Sequence, residues 1–183
     1  MERQQGRDEL MREHANVLLR SGSDNWSTPP EFFRWLEKEL GVEFDLDPCA
    51  SKMNHKCEKF FTETDDGLKQ SWDADHVFVN PPYSNIRAWI EKAIKELFGK
   101  ANVKSTVAML IPARVDTAYW HDLIGVYADE VWLLRGRIKF LWYPDQNQPE
   151  SITKNSATFP SAVVVFRADR GGHGPVYKHK DWK

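Results

Sequence analysis

The sequence predicts an α/β protein with a mostly parallel sheet and an antiparallel strand at one edge. From residue 29 to residue 134, amphipathic helical segments and short apolar runs alternate along the chain, which is typical of a parallel sheet with helices on both faces. The segments 76–79 and 106–111 are almost entirely apolar, as strands covered on both faces are. After residue 134, the strand-like segments 138–143 and 162–166 have no helical pattern between them. We therefore expect these two to pair antiparallel at one edge of the sheet.

The first predicted helix follows a recognisable start signal. Thr28 is placed to cap the helix, Pro29 suits its first position, and Glu31 completes a capping box three residues after Thr28. Apolar residues recur at helical spacing as far as Leu40, and Gly41 is a natural end. The expected helix runs from about residue 29 to residue 40.

The remaining elements are predicted from the same two periodicities and from the Gly, Pro and acidic turns that bound them. The expected strands are 42–46, 59–62, 76–79, 106–111 and 130–134, and the expected helices are 86–97 and 116–127. Around them, residues 1–25 read as a polar N-terminal arm and residues 171–183 as a loose polar C-terminal tail. Residues 26–170 are expected to form a single domain, because the chain of 183 residues suits one core and shows no linker.

Composition excludes several classes of protein. No apolar run approaches the about 20 residues of a membrane span, and the start of the chain has no secretory apolar region, so we expect a cytoplasmic protein without membrane contact. Cys49 and Cys57, with His55 between them, supply at most an incomplete metal site, so no metal is expected. The net charge of −2 argues against nonspecific coating of nucleic acid, although basic residues are concentrated at 52–59 and 135–139.

The clearest candidate for a functional site is the turn Asn80-Pro81-Pro82-Tyr83, which directly follows the apolar strand 76–79. Two adjacent prolines remove two backbone donors and restrict two φ angles, so they hold Asn80 and Tyr83 in a stiff, extended turn. In an open α/β sheet, ligands bind beyond the carboxyl ends of the strands. We therefore expect this turn to lie at the ligand-binding edge.

Acidic residues follow the two preceding predicted strands. Asp47 ends the first strand, and Asp65 and Asp66 follow the second, so these side chains and Asn80 are expected to gather at one edge of the sheet. As an alternative, Asp47-Pro48 and Asp66-Gly67 are simple turn formers, Asn80 is a helix cap and Tyr83 is a core aromatic residue.

The Asn-Pro-Pro-Tyr turn suits the binding of a planar group that carries an amino nitrogen. The amino group of a nucleobase is a poor nucleophile because its lone pair is delocalised into the ring. If the Asn80 side-chain oxygen and the Pro81 carbonyl each accept one N–H, the lone pair turns toward an incoming electrophile. Tyr83 can stack on the base, an interaction worth roughly 1–3 kcal/mol.

The sequence resembles the phage-type DNA N6-adenine methyltransferases, the Dam-like group, from about Trp26 to Phe166. The pieces that carry the resemblance are Trp26-Ser27-Thr28-Pro29, Phe44-Asp45-Leu46-Asp47-Pro48-Cys49-Ala50, Asp66-Gly67-Leu68 with Trp72, Val77-Phe78-Val79-Asn80-Pro81-Pro82-Tyr83, Gly136-Arg137-Ile138-Lys139-Phe140 and Phe159-Pro160-Ser161-Ala162. The resemblance implies the seven-stranded, Rossmann-like fold of S-adenosylmethionine-dependent methyltransferases. It also implies a phage- or prophage-encoded enzyme in a bacterial host, of the kind linked with DNA methylation and restriction-modification.

The resemblance further implies a cofactor site for S-adenosylmethionine. Thr28 and Pro29 border the methionine part, and Asp47 faces its ammonium group, a charge-assisted pair. Asp66 lies near the adenosine part. The loop Pro48-Cys49-Ala50 completes the site, although this chain lacks the Gly-x-Gly sequence that many methyltransferases have there.

On the same resemblance, the substrate is an adenine in double-stranded DNA. An adenine inside a duplex cannot reach the turn at Asn80, so the mechanism requires base flipping. Arg135, Arg137, Lys139 and the loop 143–159 are candidate contacts to phosphates or base edges, and Phe140 is a candidate to pack on the flipped base. A solvated strand end is the alternative interpretation of the basic residues.

Two other functions remain open from the sequence. The same turn can bind a glutamine amide or an RNA base, so a methyltransferase acting on protein or RNA is one alternative. A phage protein that binds DNA or cofactor without catalysis is another. The sequence does not indicate the DNA recognition sequence or the oligomeric state.

Overall fold

The computed structural model describes residues 27–98, 100, 102, 104–142, 153–169 and 173–183, apart from the side chains of residues 142 and 153–156. The predicted arm 1–25 and most of the loop 143–159 lie outside these residues. The helices are α1 (Pro30–Leu40), α2 (Ile86–Leu97) and the short α3 (Gly125–Tyr127), which continues from a π-helical turn at Trp120–Ile124. The strands are β1 (Leu46–Asp47), β2 (Lys59–Phe60), β3 (His76–Val79), β4 (Thr106–Pro112), β5 (Glu130–Leu134), β6 (Lys139–Trp142), β7 (Thr153–Ser156), β8 (Ser161–Arg167) and β9 (Val176–Lys180).

Seven of these strands form one mixed sheet in the order β2-β1-β3-β4-β8-β5-β9. Neighbouring strands pair parallel, except for β8, which is antiparallel to both β4 and β5. The predicted fold class, a mostly parallel sheet with an antiparallel strand, is therefore confirmed. However, β8 lies inside the sheet and not at its edge, because it pairs with β4 on one side and with β5 on the other.

The predicted antiparallel partner of β8 is wrong. The segment 138–143 does not pair with β8; instead β6 pairs antiparallel with β7 in a separate two-stranded sheet. The partner strand β7 lies inside the polar stretch that the sequence marks only as a loop. Its residues, Thr153–Ser156, are all polar or charged, so they show no apolar alternation from which to predict a strand.

The C-terminal tail is also corrected, because residues 176–180 form the edge strand β9. Polar side chains suit an edge strand, and here they make specific pairs: Lys178 Nζ lies 2.6 Å from Glu130 Oε2, and Lys180 Nζ lies 2.6 Å from Glu39 Oε2. Beyond the strand, the Trp182 ring packs edge-on against Phe32 at 5.3 Å between ring centroids. The tail is therefore part of the domain.

Two apolar layers cover the sheet. β4 is buried along its whole length and sends alternate side chains to opposite faces. Val107, Met109 and Ile111 join the layer that contains α2, whereas Ala108 and Leu110 join the layer that contains α1. This arrangement confirms that the apolar segment 106–111 is a strand covered on both faces. Within the described residues, no helix is long and apolar enough to cross a membrane.

The start of α1 differs from the prediction. The N-cap residue is Pro29, the helix begins at Pro30, and no side chain caps it. Thr28 therefore does not form the predicted capping box. The predicted end is confirmed, because Gly41 has a left-handed φ of 68° and its N–H bonds to the Glu37 carbonyl.

Candidate functional site

A cavity of about 980 Å³ opens beyond the carboxyl ends of β1, β2 and β3. Its lining includes most of the residues that the sequence places at this edge: Thr28, Asp47, Pro48, Cys49, Ala50, Asp66, Asn80 and Pro82. The predicted gathering is thus confirmed for Asp47, Asp66 and Asn80, whereas Asp65 is not among the lining residues and its carboxylate bonds to Thr62. Pro29 and Pro81 are buried next to these positions, and Tyr83 is half-buried.

Asp47, the last residue of β1, is a buried carboxylate on the cavity wall. Its side chain is only 3% exposed, and its Oδ2 accepts a hydrogen bond from the Lys56 N–H at 3.1 Å. Burial raises the pKa of Asp47 to about 6. Hydrogen bonds from the backbone of Lys56 and Cys49 and the charges of Lys56 and His55 act in the opposite direction and lower the pKa. A carboxylate that is costly to ionise alone favours a cationic ligand beside it.

Thr28 supplies a second polar group to the cavity. Its side chain is 1% exposed, and its Oγ1 has no hydrogen-bond partner among the described residues. The backbone of the preceding Ser27 bonds in both directions to Leu141, at 3.0 and 2.9 Å, which holds this segment in place. Buried hydroxyl groups nearly always have a partner, so this one is available to a polar group in the cavity.

The turn at Asp66-Gly67 forms another wall of the cavity. Asp66 has a left-handed φ of 55°, and its carboxylate pairs with Lys69 at 2.7 Å, which lowers the pKa of Asp66. Gly67 packs so closely on the β1 loop that an added Cβ would lie 1.9 Å from the Pro48 carbonyl oxygen. The buried Trp72 donates its indole N–H to the Gly67 carbonyl at 2.9 Å. The turn is therefore fixed against Pro48.

The Asn-Pro-Pro-Tyr turn is held from two sides. The Tyr83 hydroxyl donates a hydrogen bond to Asn80 Oδ1 at 3.2 Å, and the Tyr83 ring meets Phe159 edge-on, with centroids 5.4 Å apart. On the other side, the backbone N–H of Asn80 bonds to the Cys49 thiol, whose pKa is raised by burial and by the charge of Asp47. The turn is thus linked directly to the loop after β1.

The residues predicted to contact DNA fall into two groups. Arg135, Arg137 and Lys139 are exposed; Arg135 pairs with Asp181 at 2.9 Å, and Arg137 donates to the Ala157 carbonyl at 3.2 Å. Phe140, in contrast, is 0% exposed and belongs to the apolar layer under α1. The expectation that Phe140 packs on a flipped base is wrong, because β6 turns this side chain into the core.

Some residues at the site were not assigned a role from the sequence. Trp72 holds the Gly67 turn, Phe159 contacts Tyr83, and Asn85 and Trp89 at the start of α2 line the cavity. Trp72 and Phe159 lie in segments that the family resemblance includes, which is a signal that they belong to the site. The part of the chain that the structure describes contains no group of three or more His, Cys, Asp or Glu residues placed to hold a metal ion.

The fold and the position of the cavity define a class of protein. A solved structure from Listeria monocytogenes, described as a class I S-adenosylmethionine-dependent methyltransferase, matches with a TM-score of 0.53 at 11% sequence identity. The match covers 94% of this chain and 72% of the Listeria chain. The chain therefore has the class I methyltransferase fold, as the sequence resemblance implies.

The particular family follows from sequence comparison. Residues 16–178 match the model of the family DNA N-6-adenine-methyltransferase (Dam), and the chain belongs to this family. The DNA N-6-adenine-methyltransferase of Escherichia phage T1 is 36% identical over 111 residues, which are 60% of this chain but only 44% of the T1 protein. The protein of the same name from Haemophilus phage HP1 is 32% identical over 148 residues, 80% of each chain.

Proposed function

We propose that the chain is a DNA adenine-N6 methyltransferase that transfers a methyl group from S-adenosylmethionine to a flipped adenine within a specific DNA sequence. The observation that carries the proposal is that one cavity contains both Asp47 and Asn80. A buried carboxylate suited to a cation thus lies in the same space as an amide suited to an amino group. Family membership supports the choice of DNA adenine as substrate, and the phage origin of both relatives supports action in a bacterial cytoplasm.

The cavity fits S-adenosylmethionine at three points. The Asp47 carboxylate pairs with the ammonium of the methionine part, and the unpartnered Thr28 Oγ1 bonds to a polar group of the same part. The turn Asp66-Gly67, pressed against Pro48, borders the adenosine part. When bound, the cofactor supplies a sulfonium methyl group as electrophile.

The Asn-Pro-Pro-Tyr turn orients the nucleophile. Asn80 Oδ1 and the Pro81 carbonyl each accept a hydrogen bond from one N–H of the adenine amino group. These bonds direct the nitrogen lone pair toward the electrophile. The Tyr83 hydroxyl keeps Oδ1 in place, and the Tyr83 ring stacks on the base. These groups are neutral, so catalysis rests on alignment, and the amino proton leaves to solvent during or after transfer.

The depth of the turn supports base flipping. Pro81 is buried, and Asn80, Pro82 and Tyr83 are half-buried, so an adenine stacked inside a duplex is held away from Asn80. Extruding the base costs a few kcal/mol, and stacking on Tyr83 offsets part of that cost. The proposed substrate is therefore double-stranded DNA with one extruded nucleotide.

Methyl transfer to three substrate classes tests the proposal. The protein is incubated with S-adenosylmethionine carrying a tritiated methyl group and with unmethylated DNA, RNA or a protein extract. Nucleosides from the product are then identified by mass spectrometry. We expect N6-methyladenine in DNA, and incorporation reduced by orders of magnitude with Asn80→Ala. Label in RNA or in a glutamine amide would support the corresponding alternative, and cofactor binding without incorporation into any substrate would support a non-catalytic binding protein.

A further inference from the structure

One short segment, Ala157–Pro160, contacts both the Asn-Pro-Pro-Tyr turn and the residues that follow β4 and β5. Phe159 packs against Tyr83 at 5.4 Å between ring centroids. The Pro160 carbonyl accepts the Ala113 N–H at 2.9 Å, just after β4 ends. The Ala157 carbonyl accepts the Arg137 Nη1–H at 3.2 Å, just after β5. Residues following β4 and β5 are therefore fixed beside the proposed base-binding turn.

An exposed arginine stands at each of these two places. Arg114 follows Ala113, and its backbone is held in a turn: its N–H bonds to the Pro112 carbonyl at 2.8 Å, and its carbonyl accepts the Thr117 hydroxyl at 2.7 Å. Within the described ranges, no ion pair engages the Arg114 guanidinium. Arg137 uses one N–H on Ala157 and is otherwise exposed. Both side chains thus extend to solvent from a fixed backbone.

The sheet sets the spacing of the two arginines. β8 lies between β4 and β5, and neighbouring strands are about 4.8 Å apart, so the ends of β4 and β5, from which the chain continues to Arg114 and Arg137, lie about 10 Å from each other. Phe159 lies on the segment between them, and it contacts Tyr83, whose turn follows β3 on the other side of β4. Both cations therefore lie on the β4 and β5 side of the base-binding turn, where they are suited to phosphates of the DNA strand that the nucleotide leaves.

We propose that Arg114 and Arg137 bind backbone phosphates of the target strand on one side of the flipped adenine. The proposal rests on the proposed function and adds Arg114, which no sequence pattern marked, to its DNA-binding surface. Flipping rotates the target nucleotide about its own backbone, so the adjoining phosphates must be held for the base to stay at Tyr83. The guanidinium group binds a phosphate through paired N–H bonds, and such contacts position the duplex without reading its sequence.

Salt-dependent DNA binding tests the pair. The variants are Arg114→Gln, Arg137→Gln and Arg114→Lys, and the matched control is Lys104→Gln, an exposed cation at the opposite end of β4. Dissociation constants are measured from 50 mM to 200 mM salt with a duplex that the wild-type protein methylates. We expect each arginine-to-glutamine change to weaken binding about tenfold and to reduce the slope of log K against log[salt] by about one.

Three further results are expected from the same variants. Arg114→Lys retains most of the affinity and the slope, because its charge remains. Lys104→Gln changes neither quantity. The affinity for S-adenosylmethionine is unchanged in all four variants, and the KM for DNA rises in the two glutamine variants.

The outcomes separate this proposal from the function on which it rests. If wild type methylates DNA and both glutamine variants keep the wild-type slope, the phosphate contacts are refuted and the enzymatic function stands. If the glutamine variants lose cofactor affinity as well, the arginines have a structural role and the proposal is equally refuted. If wild type methylates no DNA, both proposals fail together.

Discussion

The Tyr83 hydroxyl donates a hydrogen bond to Asn80 Oδ1 at 3.2 Å. This contact joins the two polar side chains of the Asn-Pro-Pro-Tyr turn, and Asn80 lines the cavity. Because the phenol donates, the Asn80 atom that it contacts is the acceptor oxygen of the amide. Tyr83 therefore combines two roles, a ring that can stack on a base and a hydroxyl that orients Asn80.

Replacing Asn80 with alanine should separate catalysis from cofactor binding. The amide is proposed to act on the amino group in the transition state, so its loss should reduce kcat by orders of magnitude. Asp47 and Thr28 are unchanged in this variant, so the affinity for S-adenosylmethionine should stay within a few-fold of wild type. Single-turnover kinetics and calorimetry measure the two quantities. Equal losses in both would contradict the assigned role.

Two substitutions of Tyr83 should differ in size. Tyr83→Phe removes only the hydrogen bond to Asn80 Oδ1, so we expect kcat to fall about tenfold, the equivalent of roughly 1.4 kcal/mol. Tyr83→Ala also removes the stacking surface, worth roughly 1–3 kcal/mol, so it should raise the KM for DNA as well. Steady-state kinetics with varied DNA distinguishes the two effects. A Tyr83→Phe variant with the defect of Tyr83→Ala would show that the ring contributes nothing beyond the hydroxyl.

Asp47→Asn should stabilise the empty protein and weaken cofactor binding. Burial raises the pKa of Asp47 from 3.8 to about 6, so between these values the native state binds a proton that the unfolded state has lost. The contribution of Asp47 to stability therefore falls as the pH rises through this window, by about 3 kcal/mol in total. Asparagine removes this cost, so the variant should be more stable than wild type above pH 6.

Denaturant unfolding at several pH values measures the difference in stability between the variant and wild type. This difference should vanish near pH 4, where Asp47 in the native wild-type protein is protonated and as neutral as the asparagine. Calorimetry with S-adenosylmethionine supplies the second readout. Wild-type affinity should decrease as the pH falls below about 6, the pKa of Asp47, whereas the variant should bind weakly at every pH. A pH-independent wild-type affinity across this range would place the ammonium contact elsewhere.

Gly67→Ala should distort the cavity and destabilise the fold. The new Cβ would lie 1.9 Å from the backbone carbonyl oxygen of Pro48, so the Asp66-Gly67 turn must move away from the β1 loop. We expect a loss of stability of about 1–3 kcal/mol and a lower affinity for S-adenosylmethionine. Gly125→Ala is the matched control, since its Cβ would lie an ordinary 3.4 Å from the Trp120 carbonyl oxygen. Thermal unfolding measures stability and calorimetry measures cofactor affinity. For the control, both quantities should be close to the wild-type values.

Much of the site was predictable because its signals are local. The apolar segment 76–79 predicted a covered strand, and two prolines predicted a stiff turn after it; β3 and the turn lie where expected. Asp47 was expected at the end of its strand and ends β1. Since parallel strands share the direction of their carboxyl ends, these local predictions were sufficient to bring Asp47 and Asn80 to one edge.

The errors concern residues whose structure depends on distant parts of the chain. β9 has no alternating apolar pattern; it pairs in parallel with β5, and Lys178 and Lys180 form ion pairs with Glu130 and Glu39 on neighbouring elements. Phe140 is buried because β6 packs beneath α1. Thr28 has the residue type of a helix cap, but the adjacent Ser27 is bound through its backbone to Leu141, and Thr28 is part of the cavity lining.

The sequence by itself determined the α/β class, the stiff turn at Asn80-Tyr83 and the family, because apolar periodicity, proline geometry and short motifs act over a few residues. The tertiary structure alone decided the order of the strands, the burial that raises the pKa of Asp47, and the placing of Phe159 against Tyr83. These features arise from contacts between residues far apart in the chain. Their energies depend on solvent exclusion and packing, which no single segment contains.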